Sequence, residues 1–553
     1  MSSTAVRAED QANSPGGKAA AVPPVEITEP RSRGLVGWVQ WVIKLLVASL
    51  VIVLPLFFGG VHPSVYLSVE ILIFAGVALM LAVHPKSLVN ACSSSSAVRM
   101  TLLSFVLFAA LASGSLIFRM FNEISHPILG VIHTGPSIEQ LGIVVKDLVF
   151  AIGLFALMCG FLFSSPRNPS RVRNWILTSA AFVSLTALSH WFYDNGLLFW
   201  TFEPENVFQS ERARWPFVNS DHLAHFSLLV LFPLLGFLEE SALQFRESKG
   251  GPKPKRMLDA LTRRRFQWQL VRFLSVCMLL LCVVLAILGT QSRGSWFALG
   301  VTLVLYILGS GRAKTACSAS GRAPADLMEK SGAHATHDKR GRHRSRRRSA
   351  EETISAQIDL AAIILRRLYR PLLFIGALLV ITFFLNERGR ELVAGRIEYG
   401  LLYSMDDIRW AMYENSWPMF LSAPFWGVGL GYWDKLYSQF TTLALADLNP
   451  VYLHSDPLQL LIEVGLIGIL PLLFLGIYLI RTTSRLILCK ADASLHALKL
   501  RVLGGVCALF SFTLAGLFDF PFRIPALLSL YLITLAMLLI NCTLLEDGVN
   551  RPS

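Results

Sequence analysis

Charge is scarce in this sequence. Charged residues make up 16% of its 553 positions, against about 25% in a soluble domain. That shortfall excludes a water-soluble enzyme or binding module. Cysteine is sparse as well: eight are present and none forms a Cys-x-x-Cys pair. A disulfide and a cysteine-ligated metal are not expected, and the cysteines read as free buried or cytosolic thiols. No small-residue cleavage motif follows the first apolar block, so the N-terminal stretch does not read as a removed signal peptide.

What the chain has instead is apolar residues in long blocks. Hydrophobic residues make up 54% of it, with mean hydropathy +0.54. Blocks of about 20 such residues span a bilayer. The pattern predicts an all-α polytopic membrane protein with twelve spans, at 38–58, 64–84, 100–118, 143–163, 174–191, 221–239, 270–289, 294–310, 370–386, 457–480, 501–518 and 524–542. An even number of spans puts both termini on one side. The loops on that side carry more than three times the lysines and arginines of the loops opposite. By the positive-inside rule both termini are cytoplasmic. The net charge of +13 is then a matter of topology, and no nucleic-acid partner is expected.

The remaining segments divide by composition. Residues 1–33 lack apolar periodicity and read as a disordered cytoplasmic tail. The spans fall into two groups, 34–310 and 370–542, separated by a basic loop at 311–369, and 543–553 forms a second cytoplasmic tail. The run His337-Asp338-Lys339-Arg340-Gly341-Arg342-His343-Arg344 continues to Arg348. The run could suit a nucleic-acid arm or a His metal patch, but it reads as a disordered loop that touches anionic headgroups. Two external loops are long, 192–220 and 387–456. Ser404-Met405-Asp406-Asp407 resembles a helix start, and Ile408, Met412, Trp417 and Phe420 follow as an apolar stripe. An interfacial amphipathic helix over 405–421 is expected.

Three external turns each open a span that runs inward: Arg214-Trp215-Pro216-Phe217-Val218-Asn219-Ser220-Asp221-His222, Thr290-Gln291-Ser292-Arg293-Gly294, and His454-Ser455-Asp456-Pro457-Leu458-Gln459. Helix N-termini beside arginines suit an anion, above all a phosphate. In the third turn Asp456 can cap, Pro457 suits the first helical position, and Gln459 completes a capping-box pattern. Gly427, Gly429 and Gly431 could belong to a nucleotide loop. No strand precedes them, so a tight turn is the better reading.

The stretch His454-Ser455-Asp456-Pro457-Leu458-Gln459-Leu460-Leu461-Ile462-Glu463-Val464-Gly465-Leu466-Ile467-Gly468 resembles the signature of the O-antigen ligase and polymerase family. Ser-Arg-Gly at 292–294, Arg409 followed by Pro424-Phe425-Trp426-Gly427-Val428-Gly429-Leu430-Gly431, Phe217 to His222, and Asp519-Phe520-Pro521-Phe522-Arg523 resemble its other motifs, in order. Ser455, Asp221 and Tyr452 depart from the usual residues there. The resemblance implies a GT-C-like helical fold in a bacterial inner membrane. It also implies metal-free transfer of a glycan from undecaprenyl diphosphate to a hydroxyl at the periplasmic face, with no cofactor. The acceptor stays open between a growing glycan, lipid A core and protein; Phe58-Gly59-Gly60-Val61-His62-Pro63 leans slightly toward exopolysaccharide members.

Independently of that resemblance, Arg293 and Arg409 could neutralise a diphosphate leaving group as permanent bidentate donors. Histidine can be neutral near physiological pH, so His454 could take the acceptor's proton. These three are the candidate catalytic residues. Arg214, Asn219, His222, Asp456, Glu463 and Asp519 are candidate substrate-binding residues. The rival readings are a transporter or flippase of the lipid-linked glycan, which should place charges at the bilayer midplane, and a non-catalytic scaffold.

Overall fold

The computed structural model describes residues 34–550, apart from 123, 127–129, 133–134, 194–196, 202–211, 248–263, 319–407, 442–449 and 491–494. The expected N-terminal tail, the basic run at 337–348, the span at 370–386 and the helix start at 404–407 lie outside the described residues.

The chain is a polytopic helical membrane protein. Its first half holds α1 Leu35–Ile52, α2 Pro63–Val83, α3 Pro85–Ser94, α4 Ser96–Phe121, α5 Ile138–Ser164, α6 Asn168–Phe192 and α7 Ser220–Glu247. A short antiparallel hairpin, β1 Ile124–His126 and β2 Gly130–Ile132, joins α4 to α5. The second half holds α8 Arg264–Gly289, α9 Arg293–Ser318, α10 Ile408–Ser422, α11 Trp433–Phe440, α12 Asp456–Leu488, α13 His496–Ala515 and α14 Pro525–Asn550. Among the described residues eleven helices are long and apolar enough to cross a membrane. They coincide with the expected spans other than 370–386. The last helix runs on to Asn550, beyond the apolar block that ends at 542.

The outward faces show what solvent these helices meet. On α12, Leu466, Leu470, Leu473, Phe474 and Ile477 are exposed. They repeat at helical spacing and form one stripe, while Gly468, Pro471 and Leu475 face inward. An apolar stripe of that length is stable against lipid and costly against water. By contrast α7 and α14 lie centrally, with 83% and 78% of their most apolar stretches buried.

Close packing at the centre depends on missing side chains. A Cβ on Gly236 of α7 would lie 2.9 Å from the Leu500 carbonyl oxygen, and one on Gly504 of α13 would lie 2.7 Å from the Phe232 carbonyl oxygen. Two helix backbones thus touch where small residues permit it, as is usual between membrane helices.

The amphipathic helix exists as α10, but its buried face differs from the expected stripe. Met412, Asn415, Ser416, Met419 and Phe420 are buried, whereas Ile408 and Trp417 are exposed. The reason is a second helix that the sequence reading did not resolve. The Trp433 indole of α11 donates to the Ser416 hydroxyl at 3.1 Å, and Leu436 and Tyr437 complete a small separate core with Met419 and Phe420.

The most consequential local feature is a break inside α12. Gly465 has φ 67° and ψ −177°, a backbone region essentially reserved for glycine. The break frees polar backbone groups, and residues 424–429 take them up. Val428 N donates to Ile462 O at 3.0 Å and Gly429 N to Glu463 O at 2.8 Å. In return Leu466 N donates to Pro424 O at 2.9 Å and Ile467 N to Phe425 O at 3.1 Å. The contact is so close that a Cβ on Gly465 would lie 2.4 Å from the Phe425 carbonyl oxygen, and one on Gly427 2.3 Å from the Glu463 carbonyl oxygen. The tight turn expected at these glycines is present, and its purpose is this exchange.

Gly465→Ala is expected to lower the thermal unfolding midpoint in detergent, by a destabilisation of about 1–3 kcal/mol. Gly476→Ala, eleven residues later on the same helix and with open space around its Cα, should be neutral or slightly stabilising. Equal midpoints for the two variants would contradict the role given to the break.

Candidate functional site

At one end of the bundle the N-termini of α7, α9 and α12 meet the segment that joins α13 to α14. The centre of this meeting is Asp519, which is buried. Its Oδ1 lies 3.4 Å from Nδ1 of His454. Its Oδ2 lies 3.6 Å from Nδ1 of His225 and 4.0 Å from Nε2 of His222. These separations exceed an ordinary hydrogen bond, and no described group makes a full hydrogen bond to either oxygen. Burial opposes the carboxylate, yet the facing His454, His222 and His225 and the positive charge of Arg409 hold the Asp519 carboxyl well below the usual carboxylate range.

His454 occupies a left-handed backbone conformation, φ 59°, uncommon outside glycine. The Tyr413 hydroxyl of α10 donates to the His454 carbonyl oxygen at 2.9 Å, and the Phe520 ring packs edge-on against the imidazole at 4.8 Å. About a third of the His454 side chain is exposed, whereas His225 is buried. Of these histidines His454 therefore combines contact with Asp519 and access from outside.

Both candidate arginines come to the same segment. Arg409 Nη1 donates to the Phe518 carbonyl oxygen at 2.8 Å. Arg293 opens α9, and its neighbour Gly294 sits against Phe518, where a Cβ would lie 2.9 Å from the Phe518 Cβ. His454 and Arg409, from separate stretches of chain, thus meet residues 518–519, and the turn that carries Arg293 packs against Phe518.

The other candidates fall into different roles. The carboxylates of Asp456 and Glu463 turn to the 521–523 segment and clamp it, while the Asp456 N–H donates to the Asp519 carbonyl oxygen at 3.1 Å. Asp456 Oδ2 accepts the Phe522 N–H at 2.8 Å, and Glu463 Oε2 accepts from Arg523 Nη2 at 2.8 Å. Arg523 Nε lies 3.8 Å from Asp456 Oδ1. Burial disfavours the Arg523 cation, but Glu463 and Asp456 outweigh it and raise its already high pKa. The expected capping box is also redirected. Ser455 is the N-cap of α12 and makes no side-chain cap. Gln459 instead accepts the Leu453 N–H at 3.0 Å and donates to Glu463 at 2.9 Å. Asn219 caps the start of α7 by accepting the Asp221 N–H at 2.9 Å. Arg214 is buried over the Trp215 ring, 4.6 Å from its centroid.

Four contributors escaped the sequence reading. His225 lies one helical turn after His222, a spacing that would have flagged it. Arg212, two residues before Arg214, pairs with Asp221 at 2.7 Å and donates to the Thr290 carbonyl oxygen at 2.6 Å. It ties the first turn to the second. Arg523 carries no such signal, because its carboxylates are about sixty residues away. Lastly, α2 and α5 share an ionic group around the buried Glu70: Lys146 lies 2.9 Å from Glu70, and the Tyr66 hydroxyl donates to Asp147 at 2.7 Å. Among the described residues no three His, Cys, Asp or Glu side chains are disposed to hold a metal ion.

Arg523→Ala should strand the buried Glu463 and destabilise the fold by about 3 kcal/mol or more, whereas Glu463→Gln should be milder. Thermal melting of the purified variants checks the order. A benign Arg523→Ala would contradict the clamp.

Among curated proteins none matches the chain. A family model described as O-antigen ligase matches residues 277–473, a stretch that holds Arg293, Arg409, His454, Asp456 and Glu463 and runs from α8 past the break in α12. The chain carries an O-antigen ligase family domain, set in a multi-pass membrane protein.

Proposed function

We propose that the protein is a glycosyltransferase that moves a glycan from undecaprenyl diphosphate to an acceptor hydroxyl. The observation that carries this reading is the meeting of His454 and Arg409 with residues 518–519, beside the turn that bears Arg293, within a chain that bears an O-antigen ligase family domain. The site faces the periplasm of a bacterial inner membrane, with both termini cytoplasmic.

Asp519 lies beside Nδ1 of His454 and favours the tautomer that carries its proton there, which leaves Nε2 as the proton acceptor. The acceptor hydroxyl oxygen attacks the anomeric carbon and gives its proton to Nε2. The bond from that carbon to the diphosphate oxygen breaks, and undecaprenyl diphosphate departs with the electron pair. Arg293 and Arg409 offset the charge that develops on it. Apo distances of 3.4–4.0 Å around Asp519 fit hydrogen bonds that tighten when substrate binds. Asp456, Glu463 and Arg523 position the turn that carries Asp519. The mechanism uses no metal and no cofactor, and transfer should survive a chelator. The acceptor is a glycan, lipid A core or a protein hydroxyl.

The test is single-turnover release of undecaprenyl diphosphate in proteoliposomes. His454→Ala and Arg409→Ala should each lose release by about 10²-fold or more while remaining folded. Unchanged release in both would remove them from the mechanism. Glycan crossing the bilayer without release would favour the flippase, for which the Glu70–Lys146 pair inside the spans would then be the place to look.

A pH prediction follows from Asp519. A depressed carboxyl pKa stabilises the fold at any pH above the unfolded value of about 4. That contribution fades only as pH falls toward the lower folded value. Between pH 5 and 8 the carboxylate stays ionised, so no titration of activity there belongs to Asp519. Asp519→Asn should depress kcat by about 10²–10⁴-fold, with the wrong imidazole tautomer favoured. An Asn variant with full kcat and the wild-type pH profile would contradict the pairing.

A further inference from the structure

Glu240 lies nineteen residues after Asp221 on α7, about 28 Å along the helix from the site. There α6, α7, α13 and α14 leave a cleft between them. Its walls are apolar, with Ile176, Leu234 and Leu538 on three of the helices. The charged side chains that line it are Arg173, Arg501 and Glu240.

Glu240 is buried, and Arg501 meets it with a two-point fork, Nε to Oε2 at 2.9 Å and Nη2 to Oε1 at 2.6 Å. One arginine therefore balances one carboxylate. Arg173 stands further off, 3.5 Å from Oε2. Its guanidinium lies 4.6 Å from the centroid of the Phe237 ring, and that of Arg272 lies at the same distance from the same ring. The lining of the cleft thus has two cations against one anion, and is otherwise mostly hydrocarbon. On α6 the lining runs from Arg173 through Ile176 and Leu177 to Ala180, about 10 Å of depth. A cation at the end of a membrane span attracts an anion, and the apolar walls reject a wholly polar one.

We propose that this cleft holds one anionic phospholipid, with its phosphate at Arg173 and Arg501 and an acyl chain against Ile176, Leu234 and Leu538. The lipid binds across the four helices and ties α6 to α13 and α14. The site is separate from the His454 centre and does not depend on the chemistry proposed there.

The test is native mass spectrometry of the delipidated protein, titrated with phosphatidylglycerol or phosphatidylethanolamine. Wild type should retain one phosphatidylglycerol at concentrations where phosphatidylethanolamine is lost. Arg173→Gln leaves the Glu240–Arg501 fork in place and should weaken that retention about fivefold. Leu177→Trp fills the cleft and should abolish the single tight adduct. Equal retention of the two lipids, or retention unchanged in both variants, would overturn the proposal. So would displacement of the bound lipid by millimolar inorganic phosphate, since the ligand would then be the free anion.

Discussion

The structure of the site end depends on one exchange of backbone hydrogen bonds. A helix broken within a membrane protein exposes peptide groups that lipid cannot satisfy. In α12 the break at Gly465 is satisfied by residues 424–429, whose own turn would otherwise be just as unpaired. Glycines at 427 and 465 are required because the two backbones touch. The exchange anchors α10 and α11 to the bundle. Ser115 and Arg119 of α4 reinforce it by donating to the Trp426 and Gly427 carbonyl oxygens.

Everything proposed to be chemical hangs from that anchor. With α10 fixed, Tyr413 reaches the His454 carbonyl and Arg409 reaches the Phe518 carbonyl. With α12 fixed, Asp456 and Glu463 hold the turn at 521–523, and that turn presents Asp519 to the histidines. The glycine-rich stretch and the Glu-x-Gly stretch, separate in sequence, are thus two halves of one device. His454 adds its own constraint, since its left-handed backbone stores a conformation that the surroundings must enforce.

The spans were legible because lipid imposes a crude rule, and apolar blocks of sufficient length satisfy it in only one way. Ends were less legible: α12 runs to Leu488 and α4 begins at Ser96, since polar residues extend helices past the hydrocarbon. The short helix α3 opens at Pro85 in a stretch that reads as loop. At the site, the turns that open α9 and α12 singled out Arg293 and His454 as candidates. The division of labour was not legible. Asp456 and Glu463 read as ligand groups until Arg523 is brought to them, and long-range pairing leaves no mark in local spacing. A capping box is the local reading of Gln459, but its side chain bonds Leu453 and Glu463 instead.

The central claim is that Arg293 and Arg409 hold the diphosphate of the carrier lipid beside His454. A cryo-EM map of the protein in nanodiscs with undecaprenyl diphosphate bound tests it directly. The account predicts diphosphate density within about 4 Å of both guanidiniums, as a charge-assisted pairing requires, next to the exposed edge of the His454 imidazole. Density for the headgroup elsewhere, with both arginines facing empty space, would contradict it.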